Sequence, residues 1–295
     1  MKISTLTDYI AKIYGEKEAI RILADIGYDC FDFSMFDIGE DHHPIGGDHY
    51  VEYAKELRRT ADEAGIVCNQ SHAPFPSFIP GDSEFNERMF PLLVRAIEVT
   101  GILGGTNVII HPAIYPDYGE GHDSRCWETN MKLYQDLLPY AKKYHVKIAL
   151  ENMFNWDGES DRALPATCSM PQDFVKYLDA LDPEYFIACL DIGHAAMQKR
   201  KNNTPADMIR ALGHDRLHAL HVHDNDKIHD LHNLPFTQKI EWNEVMTALR
   251  EIDYDGVFTF EADSFLKQLP DELVCDGSGF MLKVGKYLVG SLSEE

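Results

Sequence analysis

Short apolar runs rich in β-branched residues alternate along this chain with longer stretches whose apolar positions recur every three or four residues. The short runs are Lys2–Thr7, Tyr28–Met35, Val67–His72, Thr106–His111, Val146–Glu151, Tyr185–Asp191, Leu217–His223 and Val257–Glu261. They read as strands. The stretches Glu16–Ile26, His49–Ala64, Ser83–Gly101, Trp127–Tyr144, Pro171–Leu181, Pro205–Leu212 and Trp242–Ile252, with a last one within Ser278–Leu288, read as helices. Asp48 and Ser83 stand where helix caps belong. Strand and helix in regular alternation imply a parallel sheet with helical crossovers. About eight such repeats over this length predict an α/β fold, a closed (β/α)8 or TIM barrel, forming one domain over residues 1–295. NVIIH, KIAL and FIACL are nearly continuous in apolar residues, as strands buried on both faces are. An open doubly wound sheet would normally carry G-x-G-x-x-G after an early strand, and the chain has no such motif.

Six of the runs end on a side chain able to bind a metal. They are QSHAPF with His72, VIIHP with His111, IALENM with Glu151, ACLDIGH with Asp191 and His194, LHALHVHDND with His223, and FTFEAD with Glu261; Asp230 and His232 follow just beyond the fifth. Strand side chains alternate, so Glu151 shares its face with Ala149, Asp191 with Cys189 and Glu261 with Thr259. Leu150, Leu190 and Phe260 then face the helices. Small or polar inside and large apolar outside suits a barrel whose mouth lies at the strand ends. Glu151, Asp191, His223 and Glu261 form the strongest subset, a hard donor set suited to Mn²⁺, Mg²⁺ or Zn²⁺. Acidic residues at the ends of buried strands are costly unless paired or metal-bound. Any one of them could instead cap a helix or form a salt bridge. His194 stands a turn beyond Asp191, within reach of a substrate or a second metal. His72 and His111 each stand just before a Pro-containing turn, and as a pair at adjacent strand ends they are expected in the site. His221 lies one layer deeper than His223 and is expected to support it. His42, His43, His49, His214 and His218 have no supporting spacing and are taken as structural.

Charge and cysteine content narrow the picture. The formal net charge is -22, from 49 acidic and 27 basic residues, which opposes binding of polyanions such as duplex DNA. Six cysteines include no C-x-x-C pair, the pattern of a reducing cytosol. The N-terminus lacks a long apolar segment and no apolar run is long enough to span a bilayer, so a soluble cytoplasmic protein with no membrane partner is expected.

With these motifs in this order, the chain resembles the xylose-isomerase-like TIM-barrel superfamily of sugar isomerases, epimerases, inosose dehydratases and endonuclease-IV-like apurinic endonucleases. The resemblance covers nearly the whole chain. It rests on H-A-P-F at His72, H-P at His111, E-N at Glu151, D-x-G-H at Asp191 and His194, H-x-N-D at His223, and Glu261. It implies a metal-dependent sugar or sugar-phosphate isomerase or epimerase of carbohydrate metabolism, with Glu151, Asp191, His223 and Glu261 holding one divalent ion. Glu151 and Glu261 would then exchange the proton beside the carbonyl from opposite faces, through a metal-stabilised enediolate. His194 matches a substrate-binding position. An inosose-type dehydratase would use the same groups. The apurinic endonucleases hold three zinc ions with five further ligands, which His72, His111, His194, Asp230 and His232 match; a polynuclear zinc phosphodiesterase or phosphoesterase is the competing implication. Against it stand the acidic charge and early loops without the basic and aromatic inserts of a DNA-bending enzyme. The loops DHHPIGGDHY, YPDYGEGHDSRCW and NMFNWDGES suit the covering of a small substrate, with Phe154 and Trp156 placed to stack on a sugar face or to seal the rim. Arg125, Lys227 and Lys239 are the nearby cations, and none sits in a Gly-rich phosphate turn, so free and phosphorylated sugars stay equally open. Barrels of this kind often pair, and a homo-oligomer is the matching expectation.

Overall fold

The computed structural model describes residues 1–40, 43–197 and 203–291. Its strands are β1 (Ile3–Thr5), β2 (Cys30–Ser34), β3 (Val67–His72), β4 (Asn107–Ile109), β5 (Lys147–Glu151), β6 (Phe154–Asp157), β7 (Arg162–Pro165), β8 (Phe186–Asp191), β9 (Leu217–His221) and β10 (Phe258–Phe260). Six of these run in parallel in the order β2-β3-β4-β5-β8-β9, and β1 pairs with β10, also in parallel. Single parallel bridges, Leu6 to Asp32 and Val222 to Phe260, join the two groups. The ring of eight is thereby closed, and the fold is an α/β TIM barrel. The remaining pair, β6 and β7, is an antiparallel hairpin standing outside the ring.

The helices are α1 (Asp8–Tyr14), α2 (Glu16–Ile26), α3 (Tyr50–Ala64), α4 (Ser83–Leu103), α5 (His122–Tyr144), α6 (Pro171–Ala180), α7 (Ile192–Met197), α8 (Pro205–Arg216), α9 (Trp242–Glu251), α10 (Asp263–Leu266) and α11 (Val274–Gly290). The eight expected helices are all present. The short α1, α7 and α10 were not expected, because so few turns give a helical period nothing to repeat over. The caps need correction. Asp82, not Ser83, accepts the Phe85 amide at 2.9 Å, and the cap position of α3 is His49 rather than Asp48.

Alternation places the side chains as their parity requires. Ile109, Ala149, Ile187, Cys189 and Ala219 make a small cluster inside the barrel, while Leu150, Leu190 and Phe260 join the large core beneath the helices. The pairing of β2 with β3 skips Asn69, a bulge that lets both Asn69 and Gln70 serve the interior. Ser4 Oγ donates to Asn69 Oδ1 at 2.7 Å, and Asn69 Nδ2 donates to Thr259 Oγ1 at 3.2 Å. Small apolar and hydrogen-bonded polar groups thus fill much of the barrel floor.

All six cysteines are unpaired and all but Cys275 are buried. Among the described residues no helix is long and apolar enough to cross a membrane. His43 Nε2 lies 3.2 Å from Glu16 Oε1, and His214 and His218 meet the Asp253 and Asp215 carbonyls. His42 lies outside the described residues.

Candidate active site

Glu151, the last residue of β5, is the hub of the barrel mouth. Its Oε2 lies 3.1 Å from His221 Nδ1, 3.3 Å from His111 Nε2 and 3.9 Å from His72 Nε2; its Oε1 lies 3.3 Å from His194 Nδ1. His221 Nδ1 is equally 3.1 Å from Glu261 Oε2. Yet neither Glu151 Oε2 nor His221 Nδ1 has a hydrogen-bond partner of acceptable geometry, and both are buried. Buried polar atoms left this way call for an explanation, and a shared cation is the economical one. Donor atoms of Glu151, Asp191, His221 and Glu261 all lie within 4.8 Å of one another. Ligands at about 2.0–2.6 Å from one ion stand up to roughly 4–5 Å apart, so the donor set and its span fit a divalent metal.

This group contains His221 where the sequence pointed to His223. The reason is level rather than face. Asp191 is directly paired with His221 in the β8–β9 ladder, and β9 ends there. His223, two residues on, rises past the rim and meets Asp191 from above, with Nε2 3.0 Å from Oδ1 and 3.1 Å from Oδ2. It belongs to a second group, His194, His223, Asp230 and His232. There Asp230 Oδ2 is 2.9 Å from His232 Nε2 and 3.5 Å from His194 Nε2, and the rings of His223 and His232 stack with centroids 4.0 Å apart. A third group, His72, His111 and Glu151, shares the hub. The structure therefore brings together all nine metal candidates read from the sequence, with His221 added. Trp156 does not reach them: it is 41% exposed and meets His229, at 5.5 Å between ring centroids. Phe154 instead packs its edge against His194, at 4.9 Å.

Surrounding residues fix these side chains. Asn152 bonds both ways across β5 and β8, accepting from the Asp191 amide at 2.8 Å and donating to the Asp191 carbonyl at 2.9 Å. The Asn152 carbonyl meets His194 Nδ1 at 2.9 Å. Gly193 must be glycine, because a Cβ there would stand 1.9 Å from His223 Cε1. Behind His221, Asp32 Oδ2 lies 3.7 Å from Nε2 and accepts from Gln70 Nε2 at 2.8 Å. Neither Asp32 nor Gln70 was singled out from the sequence, since both look like ordinary polar residues within short strands. Phe36 and Phe75 pack on His72 and His111, with centroids at 4.6 and 4.7 Å.

Burial and close charges pull the site in opposite directions. Burial favours a neutral Glu151, but His221 and His111 outweigh it and hold the carboxyl well below its usual range. Burial dominates at Glu261, which is pushed up to about 8 despite His221 and His232. Burial, then His221 and His111, keep His72 well below ordinary imidazole. At His194 burial opposes the charge, but Asp191, Asp230 and Glu151 overcome it and hold the imidazolium well above its usual range.

Comparison with known proteins agrees with this architecture. The family model of xylose isomerase-like TIM barrels matches residues 20–279. The chain belongs to this family. Uncharacterized protein MJ1311 of Methanocaldococcus jannaschii is 30% identical over 226 residues, covering 73% of this chain and 71% of that protein. D-psicose 3-epimerase of Enterocloster bolteae is 24% identical over 249 residues, covering 81% of this chain and 73% of the epimerase. Among solved structures, a D-tagatose 3-epimerase-like protein superposes with a TM-score of 0.73 at 21% identity, over 99% of this chain and 100% of the other.

Proposed function

We propose that this xylose isomerase-like barrel is a divalent-metal-dependent isomerase or epimerase of a sugar or sugar phosphate. The observation that supports it most directly is the four-donor group: three carboxylates and one imidazole, from the ends of β5, β8, β9 and β10, converge on one buried point. Glu151, Asp191, His221 and Glu261 would hold Mn²⁺, Mg²⁺ or Zn²⁺. Such an ion supplies Lewis acidity to the adjacent carbonyl and hydroxyl oxygens of a ketose and so acidifies the C–H bond beside them. Glu151 and Glu261, whose Oε2 atoms each lie 3.1 Å from His221 Nδ1, would take and return that proton. His111 and His194, each 3.3 Å from a Glu151 oxygen, would orient substrate hydroxyls. Phe154, Phe36 and Phe75, which pack on His194, His72 and His111, would help keep water off the reacting carbon. The six unpaired thiols support a reducing, cytoplasmic setting. The likeness to a D-psicose 3-epimerase is consistent with the same chemistry.

The test is solvent exchange. A ketose panel in deuterated water with Mn²⁺, Mg²⁺ or Zn²⁺ should gain deuterium at the carbon beside the carbonyl. Glu151→Gln or Glu261→Gln should slow this by about 10²–10⁴-fold. Metal-loaded protein that exchanges with no ketose would end this reading. Loss of water from the product, instead of inversion, would mark an inosose-type dehydratase using the same groups.

A second reading is supported by the two flanking groups, His72–His111–Glu151 and His194–His223–Asp230–His232. Together with the central group they could hold two or three zinc ions and hydrolyse a phosphodiester or phosphate ester. Metal content per chain separates the two. One ion, lost in Glu261→Gln, supports the isomerase. Two or three zinc ions, partly lost in His72→Ala or Asp230→Asn, together with cleavage of an abasic-site oligonucleotide, support the hydrolase.

A further inference from the structure

Ser34 ends β2 and lies level with His72 across the β2–β3 ladder. Its side chain shares the inward face with Asp32, which stands two residues below it beside His221. Ser34 Oγ is buried and has no hydrogen-bond partner, and the same is true of Glu16 Oε2, in the first turn of α2. Both residues line one cavity of about 370 Å³, within the range of small-ligand pockets. Phe36, in the wall of that cavity, packs its ring on His72 with centroids 4.6 Å apart. The cavity therefore lies beside the candidate metal centre, with Phe36 between it and His72.

An unpaired buried polar atom costs about 1–3 kcal/mol. Two in one cavity beside a candidate active centre call for a ligand that bonds both. A carboxylate accepts and cannot donate, so Glu16 Oε2 requires an O–H or N–H. The other oxygen of Glu16 is already engaged, with His43 Nε2 3.2 Å from Oε1. The remaining acidic walls are Asp8, Asp37 and Glu40. Lys12 is occupied by Asp8 at 3.1 Å and Asp37 at 3.6 Å. A phosphate dianion would bring no donor and would add charge beside four carboxylates. A neutral hydroxyl group brings both a donor and an acceptor.

We propose that this cavity is the subsite for the uncharged, hydroxyl-bearing end of the substrate. Glu16 accepts from one hydroxyl and Ser34 bonds its neighbour. The enzyme accordingly takes a free ketose in preference to a phosphorylated one. This rests on the carbohydrate reading of the metal centre and narrows it.

The experiment uses the full-length, Mn²⁺-loaded protein and measures deuterium exchange with D-fructose and D-psicose and with their 6-phosphates. Free ketoses should exceed the phosphates in kcat/KM by about tenfold or more. Glu16→Gln should narrow that ratio by about tenfold, because it removes a charge and adds a donor. Ser34→Ala should raise KM for the free ketose by about fivefold with little change in kcat. Each ratio is taken within one protein, so a partly unfolded variant does not distort it. Equal or better use of the phosphates by the unaltered protein, or a ratio unmoved in Glu16→Gln, would overturn the subsite and leave the exchange chemistry standing. Exchange with no ketose, free or phosphorylated, would overturn the metal-centre reading and this inference with it.

Discussion

Asp32 is wholly buried on β2, with its Oδ2 3.7 Å from His221 Nε2 and 3.9 Å from His72 Nδ1. An imidazole can offer a lone pair at Nδ1 only if its proton sits on Nε2. A carboxylate near Nε2 favours that arrangement, as the outer partners of metal-binding histidines commonly do. Asp32→Asn should therefore weaken Mn²⁺ binding by about 10–100-fold while the fold persists. Calorimetric titration reads this directly, and an unchanged affinity would reduce Asp32 to a structural residue. Gly193 makes the complementary case. Its missing Cβ leaves room for the His223 ring, which is held between Asp191, Asp230 and His232. Gly193→Ala should displace that ring, cost about 1–3 kcal/mol in urea unfolding, and remove any ion bound by the second group. The group around Glu151 and Glu261 should keep its metal; loss of both together would show that the groups are not separable.

At the scale of elements, the strands were legible because burial on both faces leaves continuous apolar runs, and every expected barrel strand is present. What a period of two cannot supply is level. Ala219, His221 and His223 share one face, and only the pairing of Asp191 with His221 shows which imidazole lies beside the carboxylates. The β6–β7 hairpin escaped notice for a different reason. Its residues are mostly half-exposed, so it carries no apolar alternation. Connections matter as much as strands here. Between β9 and α9, Asp224 accepts from the Gln238 amide at 3.2 Å, the Ile240 amide at 3.0 Å and Trp242 Nε1 at 3.1 Å. These bonds fasten both ends of the segment that carries Asp230 and His232. Asp224→Ala would strand buried donors and should cost about 2–4 kcal/mol. It should also loosen the second donor group while Glu151 and His221, on their own strands, stay in place. A variant that unfolds at the same urea concentration as the parent would count against this role.

Across the whole molecule, a net charge of -22 opposes compaction in two ways that differ in range. Surface carboxylates repel through solvent, where salt screens them over about 10 Å at 0.1 M. The buried carboxylates at the barrel mouth repel through protein, where salt reaches them poorly. An ion bound only by the folded state adds about 2.7 kcal/mol at a hundredfold excess over its Kd. At about 2–4 °C per kcal/mol, that is roughly 5–10 °C in Tm. Protein stripped with chelator should gain a little Tm as salt rises from about 0.05 to about 0.5 M, and gain the larger increment when Mn²⁺ is restored. The two increments should add, because they act on different charges. Glu151→Gln should lose the metal increment and keep the salt increment. A metal increment that disappears in high salt would mean loose counterion binding over the acidic surface, and the four-donor centre would then have no claim to a specific ion.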